Sequence, residues 1–149
     1  MRLALFEPDI PQNTGTLMRL CACLNVPLDI IEPCGFLLSD KNLRRAGMDY
    51  LDHLDLTRHL DWNAFKTAQD GKRLVLLSTK AGRSFLDFQF QPADILLAGR
   101  ESAGVPEQVH QYCSEQVLIP MAAGMRSLNV ALASAIVLSE ALRQTQGYP

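Results

Sequence analysis

No apolar run in this 149-residue chain approaches the roughly 20 residues that a membrane-spanning helix needs. The opening Met1-Arg2-Leu3-Ala4-Leu5-Phe6 reaches Glu7-Pro8-Asp9 too soon for the apolar region of a signal peptide, so a cytoplasmic location is expected. Metal-ligand spacing is also missing. Cys21, Cys23, Cys34 and Cys113 contain no C-x-x-C pair, and His53, His59 and His110 are not spaced as ligands, so no metal is expected. The cysteines read as buried free thiols, the usual state in a reducing compartment. Basic charge is scarce too. Fourteen Lys and Arg against sixteen Asp and Glu leave a net charge of −2, without the overall basic footprint of many phosphate-binding proteins. The exception is local, where Lys41, Arg44 and Arg45 cluster and Arg58-His59 follows. Such a cluster reads either as a solvated face or, doubled in a dimer, as one anion-binding surface.

Linkers, low-complexity tracts and long repeats are absent, so residues 1–149 read as one domain, large enough to bury about 70% of its unfolded surface without staples. Short apolar strands alternate with helical patterns. Leu3–Phe6, Leu28–Ile31, Leu74–Leu77 and Ile95–Ala98 read as buried strands, with weaker ones at His53–Leu56 and Val117–Ile119. Helices are predicted over Asn13–Leu24, Asp40–Ala46, Trp62–Ala68, Pro106–Gln111 and Leu128–Arg143. In the first helix Leu17, Leu20, Cys21 and Leu24 share a face, Arg19 lies roughly opposite, and Asn13 suits the N-cap. This order implies an α/β fold, a mostly parallel sheet with helices on both faces, and ligands at the carboxyl ends of its strands. The last helix is apolar nearly all round until Glu140. That pattern demands burial on most sides, by a central position in a monomer or by a second copy in a homodimer, which is the expectation here.

Three glycine-bearing segments sit where strands should end: Pro11-Gln12-Asn13-Thr14-Gly15-Thr16-Leu17-Met18-Arg19, Leu97 through Pro106 (LAGRESAGVP), and Ile119 through Val130 (IPMAAGMRSLNV). Together, in this order, they resemble the three motifs of the SPOUT (SpoU–TrmD) RNA methyltransferases over nearly the whole chain. The segments FEPDIPQNTG at residues 6–15, IIEPCGF at 30–36 and LRRAGMDY at 43–50 are most similar to the branch that methylates the ribose of tRNA nucleotide 34, cytidine or uridine. Arg100 departs from that branch, which often has proline there, and so does the Val130–Ala135 run, where several relatives place another asparagine.

The resemblance implies a C-terminal trefoil knot, S-adenosylmethionine as cofactor, a homodimer and a tRNA substrate. By position it assigns cofactor contacts to Leu77, Gly99, Glu101, Ile119, Ser127 and Leu128, largely through the main chain. Leu77 and Ile119 can be strand core at the same time. It makes Arg19 the lead catalytic residue, with Asn13, Ser127 and Asn129 beside it, and gives RNA contacts to Arg19, Lys41, Arg44, Arg45 and Arg126. The chemistry fits these residue types. A ribose 2′-hydroxyl is a weak nucleophile, so its proton must be withdrawn or its developing charge stabilised. Arginine almost never gives up its proton, which favours electrostatic stabilisation and phosphate orientation for Arg19. Glu101 is expected to pair with Arg100 or Arg126 or to brace the cofactor loop. Two alternatives stand beside this reading: 2′-O-methylation of ribosomal RNA or another tRNA position, and a non-catalytic RNA-binding protein of the same fold. A Rossmann dehydrogenase is disfavoured, because no G-x-G-x-x-G follows the first strand.

Overall fold

The computed structural model describes residues 1–37 and 51–149. Among these, six strands form one sheet: β1 (Arg2–Phe6), β2 (Leu28–Ile31), β3 (Leu56–His59), β4 (Leu74–Leu77), β5 (Ile95–Ala98) and β6 (Glu115–Val117). Their spatial order is β3-β2-β1-β5-β4-β6, and every pairing is parallel. The helices are α1 (Pro11–Cys23), α2 (Trp62–Ala68), α3 (Glu107–Tyr112) and α4 (Val130–Thr145).

Strand alternation creates two cores. Leu3, Leu5, Leu28, Ile30, Val75 and Leu96 face one side, where Leu17, Met18 and Cys21 of α1 meet Val137, Leu138, Ala141 and Leu142 of α4. Ala4, Phe6, Ile31, Leu74, Leu76, Ile95 and Leu97 face the other, against Phe65 of α2 and Val109 of α3. A sheet covered on both faces explains why β5 is apolar at every position. Asp29, inside β2, is a fully buried carboxylate, but it is satisfied. Arg2 donates to it at 2.8 and 3.2 Å, and the His59 Nε2 lies 2.8 Å away.

The expected elements appear, with informative shifts. β3 runs over Leu56–His59 rather than His53–Leu56, and His53 closes a short 3₁₀ turn. Burial of His59 against Asp29 and edge-on to Phe65, 5.2 Å away, places a polar residue inside the strand. β6 ends at Val117, level with the end of β4. Beyond it Leu118 bonds to the main chain of Arg83 and Phe85 instead. Helix α1 starts at Pro11 with Ile10 as its N-cap, so Asn13 is not the cap. Proline suits that first position because its ring presets φ and it has no N–H to leave unpaired. Asn129, by contrast, caps α4, accepting from the N–H groups of Ala131 and Leu132 at 2.8 and 3.3 Å. The helix expected at Asp40–Ala46 lies outside the described residues. Within the chain α4 buries only one face. Leu132 and Ile136 remain 60% and 42% exposed.

Candidate active site

The three motif segments, the first of them the opening of α1, meet beyond the carboxyl ends of β1, β4, β5 and β6. They border a cleft of about 590 Å³ whose walls include Leu77, Gly99, Glu101, Ile119, Ser127 and Leu128. These are all six residues to which the resemblance gave cofactor contacts. Asn13 and Asn129 stand at the same cleft.

A polar relay ties the segments together. The N–H groups that open α4 can only donate, so Asn129 Oδ1 must accept from them. Its Nδ2 is then left to donate to Asn13 Oδ1, 2.8 Å away. Asn13 Nδ2 in turn donates to Glu101 Oε1 at 3.1 Å. Both amides are thereby oriented by their neighbours. Glu101 Oε2 accepts the main-chain N–H of Asp9 at 3.0 Å. Glu101 thus braces loop to loop and pairs with neither Arg100 nor Arg126 among the described contacts, as two of the three options read from the sequence had it.

Arg100 turns the other way. Its Nε donates to the Glu7 carbonyl at 3.1 Å and its Nη2 to the Glu7 carboxylate at 2.8 Å. Glu7 has φ 43°, a left-handed conformation that non-glycine residues seldom adopt, and this doubly bonded arginine holds it there. The loop after β5 is folded onto itself by reciprocal main-chain bonds between Arg100 and Gly104, at 2.9 and 2.7 Å. A Cβ on Gly99 would meet the Gly104 main chain at 2.7 Å, so the fold demands glycine at 99. Gly104 itself has φ +69°.

The remaining cationic candidates lie elsewhere. Arg19 is exposed on α1 and does not line the cleft, being turned away from Asn13 by helical geometry. Arg126 is exposed on the third loop and also lies off the cleft wall. Lys41, Arg44 and Arg45 fall outside the described residues. Arg58, read with them as a basic cluster, pairs with Glu32 at 2.7 Å. Among the described residues no group of His, Cys, Asp or Glu is placed to hold a metal, and no helix is long and apolar enough to cross a membrane. The four cysteines are unbridged; Cys21 and Cys113 are buried as expected, whereas Cys34 is half-buried and Cys23 is exposed. Burial pushes the thiols of Cys21 and Cys113 up to about 12, and burial with help from the charges of Glu32 and Glu7 pushes Cys34 to about 11. All three are therefore poor nucleophiles.

Sequence reading passed over part of the wall. Ser78 Oγ, just past the end of β4, and His110 Nε2 of α3, 3.2 Å apart, face the cleft. It passed over Asp9 as well, which receives the Ser102 hydroxyl's hydrogen bond. No spacing rule marks these residues, because each gains its place from an element far away in sequence.

The Asn129 amide serves two masters, and substitution separates them. Asn129→Asp keeps an oxygen for the α4 cap but loses the donor to Asn13. Asn129→Ala loses both. Alanine is expected to cost about 1 kcal/mol of stability, the usual worth of an N-cap, and aspartate much less, read by urea denaturation. Both should depress activity together, which separates the relay from the cap.

The fold is of the α/β class, with its cleft at the carboxyl ends of a parallel sheet. Residues 1–139 match the SpoU rRNA Methylase family, and the chain belongs to it. Among its relatives is the tRNA (cytidine(34)-2′-O)-methyltransferase of Beijerinckia indica subsp. indica. It is 62% identical over 144 residues, covering 95% of this chain and 90% of that protein. The enzyme of the same description from Escherichia coli (strain K12) is 41% identical over 151 residues, covering 100% and 96%. A structure solved to examine 2-OH methylation of C/U34 on tRNA superposes with a TM-score of 0.91 at 42% identity, covering 98% of this chain and 96% of that one. The SpoU methyltransferase AviRb of Streptomyces viridochromogenes, solved with its cofactor AdoMet, gives 0.81 at 27% identity, over 97% of this chain and 60% of that one.

Proposed function

We propose that this chain is a cytoplasmic, one-domain enzyme that transfers a methyl group from S-adenosylmethionine to the ribose 2′-oxygen of tRNA nucleotide 34, cytidine or uridine. The observation that carries the reading is the meeting of all three motif segments at one cleft, joined by the Asn129–Asn13–Glu101 relay. Full-length identity of 41–62% to enzymes bearing that description supports the choice of nucleotide.

The cleft suits the cofactor. The Gly99 main chain is left bare on the wall because its loop partner fills the space a side chain would need. Leu77, Gly99, Ile119 and Leu128 would offer it main-chain groups, and Glu101 and Ser127 side-chain oxygens. When bound it supplies an electrophilic methyl group. The chain's own task is to prepare the oxygen that attacks. Arg19, which does not line its own chain's cleft, would serve the cleft of the second copy in the dimer. There it holds the RNA phosphate and stabilises negative charge on the 2′-oxygen as its proton leaves. Asn13 and Asn129, oriented by the relay, position the ribose, with Ser127 beside them. Arg126 and the Lys41, Arg44, Arg45 cluster add phosphate contacts.

The deciding experiment incubates the protein with labelled S-adenosylmethionine and total tRNA lacking its own modification, then maps the methylated nucleotide by mass spectrometry. Label at position 34 is expected. Label confined to ribosomal RNA or to another tRNA position overturns the assignment.

The same reading includes a homodimer and a C-terminal knot. The apolar stripe Leu128, Leu132 and Ile136, 41–60% exposed beside the cleft, supports the dimer. The seating of Leu118 between the main chains of Arg83 and Phe85 supports a C-terminal segment drawn past the loop after β4. Leu132→Glu is expected to convert a dimer to monomers in sedimentation at micromolar concentration. A wild-type chain already monomeric there removes the dimer.

A further inference from the structure

We infer that Asp9, with Ser102, is a positioning residue for methyl transfer: a latch that sets Glu101, and through it the amides of Asn13 and Asn129. The inference rests on the proposed methyltransferase reading, and it concerns a residue outside the cleft wall.

Asp9 lies in the short passage between β1 and α1, four residues before Asn13. It is held from three sides. Its main-chain N–H donates to Glu101 Oε2 at 3.0 Å. The Ser102 hydroxyl donates to its Oδ2. Behind it Gly35, from the exit of β2, donates its N–H to the Pro8 carbonyl at 2.9 Å and lies so close that a Cβ there would stand 2.6 Å from the Asp9 Cβ. One passage thus locks the exits of β1, β2 and β5 together.

The remaining carboxylate oxygen is the telling atom. Asp9 Oδ1 is buried and accepts no hydrogen bond from the described residues. An orphan acceptor of this kind costs stability and calls for a reason. The other Asp9 carboxylate oxygen and the Asp9 main-chain N–H are both tied to the β5 exit, at Ser102 and Glu101. Glu101 is therefore engaged at both ends, by Asp9 on one side and Asn13 on the other. The orientation of the Asn13 amide depends on Glu101 remaining where Asp9 puts it, because Asn13 Nδ2 has that one acceptor among the described residues. Asp9 does not itself line the cleft, so its effect must pass through its two partners there, Glu101 and Ser102.

The test compares Asp9→Ala, Asp9→Asn and Ser102→Ala in the full chain. It uses whichever RNA the wild type methylates, so that a wrong nucleotide assignment leaves the test intact. Asp9→Ala is expected to lower kcat about tenfold or more, while KM for RNA and Kd for S-adenosylmethionine stay within threefold. Asp9→Asn keeps an oxygen for Ser102, and should recover kcat to within threefold of wild type. Ser102→Ala should lower kcat modestly, and adding it to Asp9→Ala should cost nothing more, the mark of one shared unit. Wild-type kcat in Asp9→Ala, a parallel loss of cofactor affinity, or an Asp9→Asn variant as slow as alanine each overturns the latch. Should Asp9→Ala fail to fold, unchanged kcat in Ser102→Ala has the same force.

Discussion

Replacing Arg19 by alanine is expected to reduce kcat about 100- to 1,000-fold, the usual cost of removing one group that stabilises transition-state charge. The fold should survive, since Arg19 is exposed on α1 while Leu17, Met18 and Cys21 carry that helix's packing. S-adenosylmethionine affinity should survive as well, because Arg19 does not line the cleft. Arg19→Lys preserves the charge but not the planar fork that meets a phosphate through two bonds, so it should recover only part of the rate. Single-turnover methylation with calorimetry of cofactor binding separates the two quantities. Full activity in Arg19→Ala would remove the proposed mechanism. A loss confined to cofactor affinity would move Arg19 from catalysis to binding.

Gly99→Ala should act in the opposite way, on binding and fold before chemistry. The new methyl would sit 2.7 Å from the Gly104 carbonyl carbon and 2.9 Å from its Cα. Main chain cannot swing aside as a side chain does, so the reciprocal Arg100–Gly104 bonds must open or the loop must shift. Overpacking of this kind costs about 1–3 kcal/mol of stability. A displaced loop should also weaken S-adenosylmethionine binding at least tenfold, about 1.4 kcal/mol. Gly82→Ala is the matched control, since nothing lies within 4 Å of a Cβ there. Calorimetry and thermal denaturation read both effects. Unchanged cofactor affinity in Gly99→Ala would remove Gly99 from the binding surface.

Much of the scaffold was legible because its cause is local. β2, β4, β5 and α2 stand where apolar runs and helical spacing put them. A strand buried on both faces has to be apolar throughout, and that pattern survives in the sequence. Errors fell where a distant partner decides. β3 extends to His59 because Asp29 of β2 gives that imidazole a buried partner. Asn13 resembled a cap because asparagine before an amphipathic run usually is one. Pro11 took the first helical position instead and left the amide free for other work.

The site divides the same way. Asn13, Gly99, Glu101, Ile119, Ser127, Leu128 and Asn129 could be named from three short segments, because each segment follows a strand whose carboxyl end had to open on one edge of a parallel sheet; Ser78 and His110 could not. Nor could the connections between these residues. Glu101 finds Asn13 across 88 residues, Asp9 across 92, and Asn129 finds Asn13 across 116. Arg100, one of the partners the sequence offered Glu101, is claimed by Glu7 across 93. The sequence by itself determined the layers, the strand ends and the residue types gathered there, since periodicity and turn chemistry act over a few residues. Only the tertiary structure decided which donor meets which acceptor. A hydrogen bond is made or lost within half an ångström, and that precision arises only when the sheet brings its loops together.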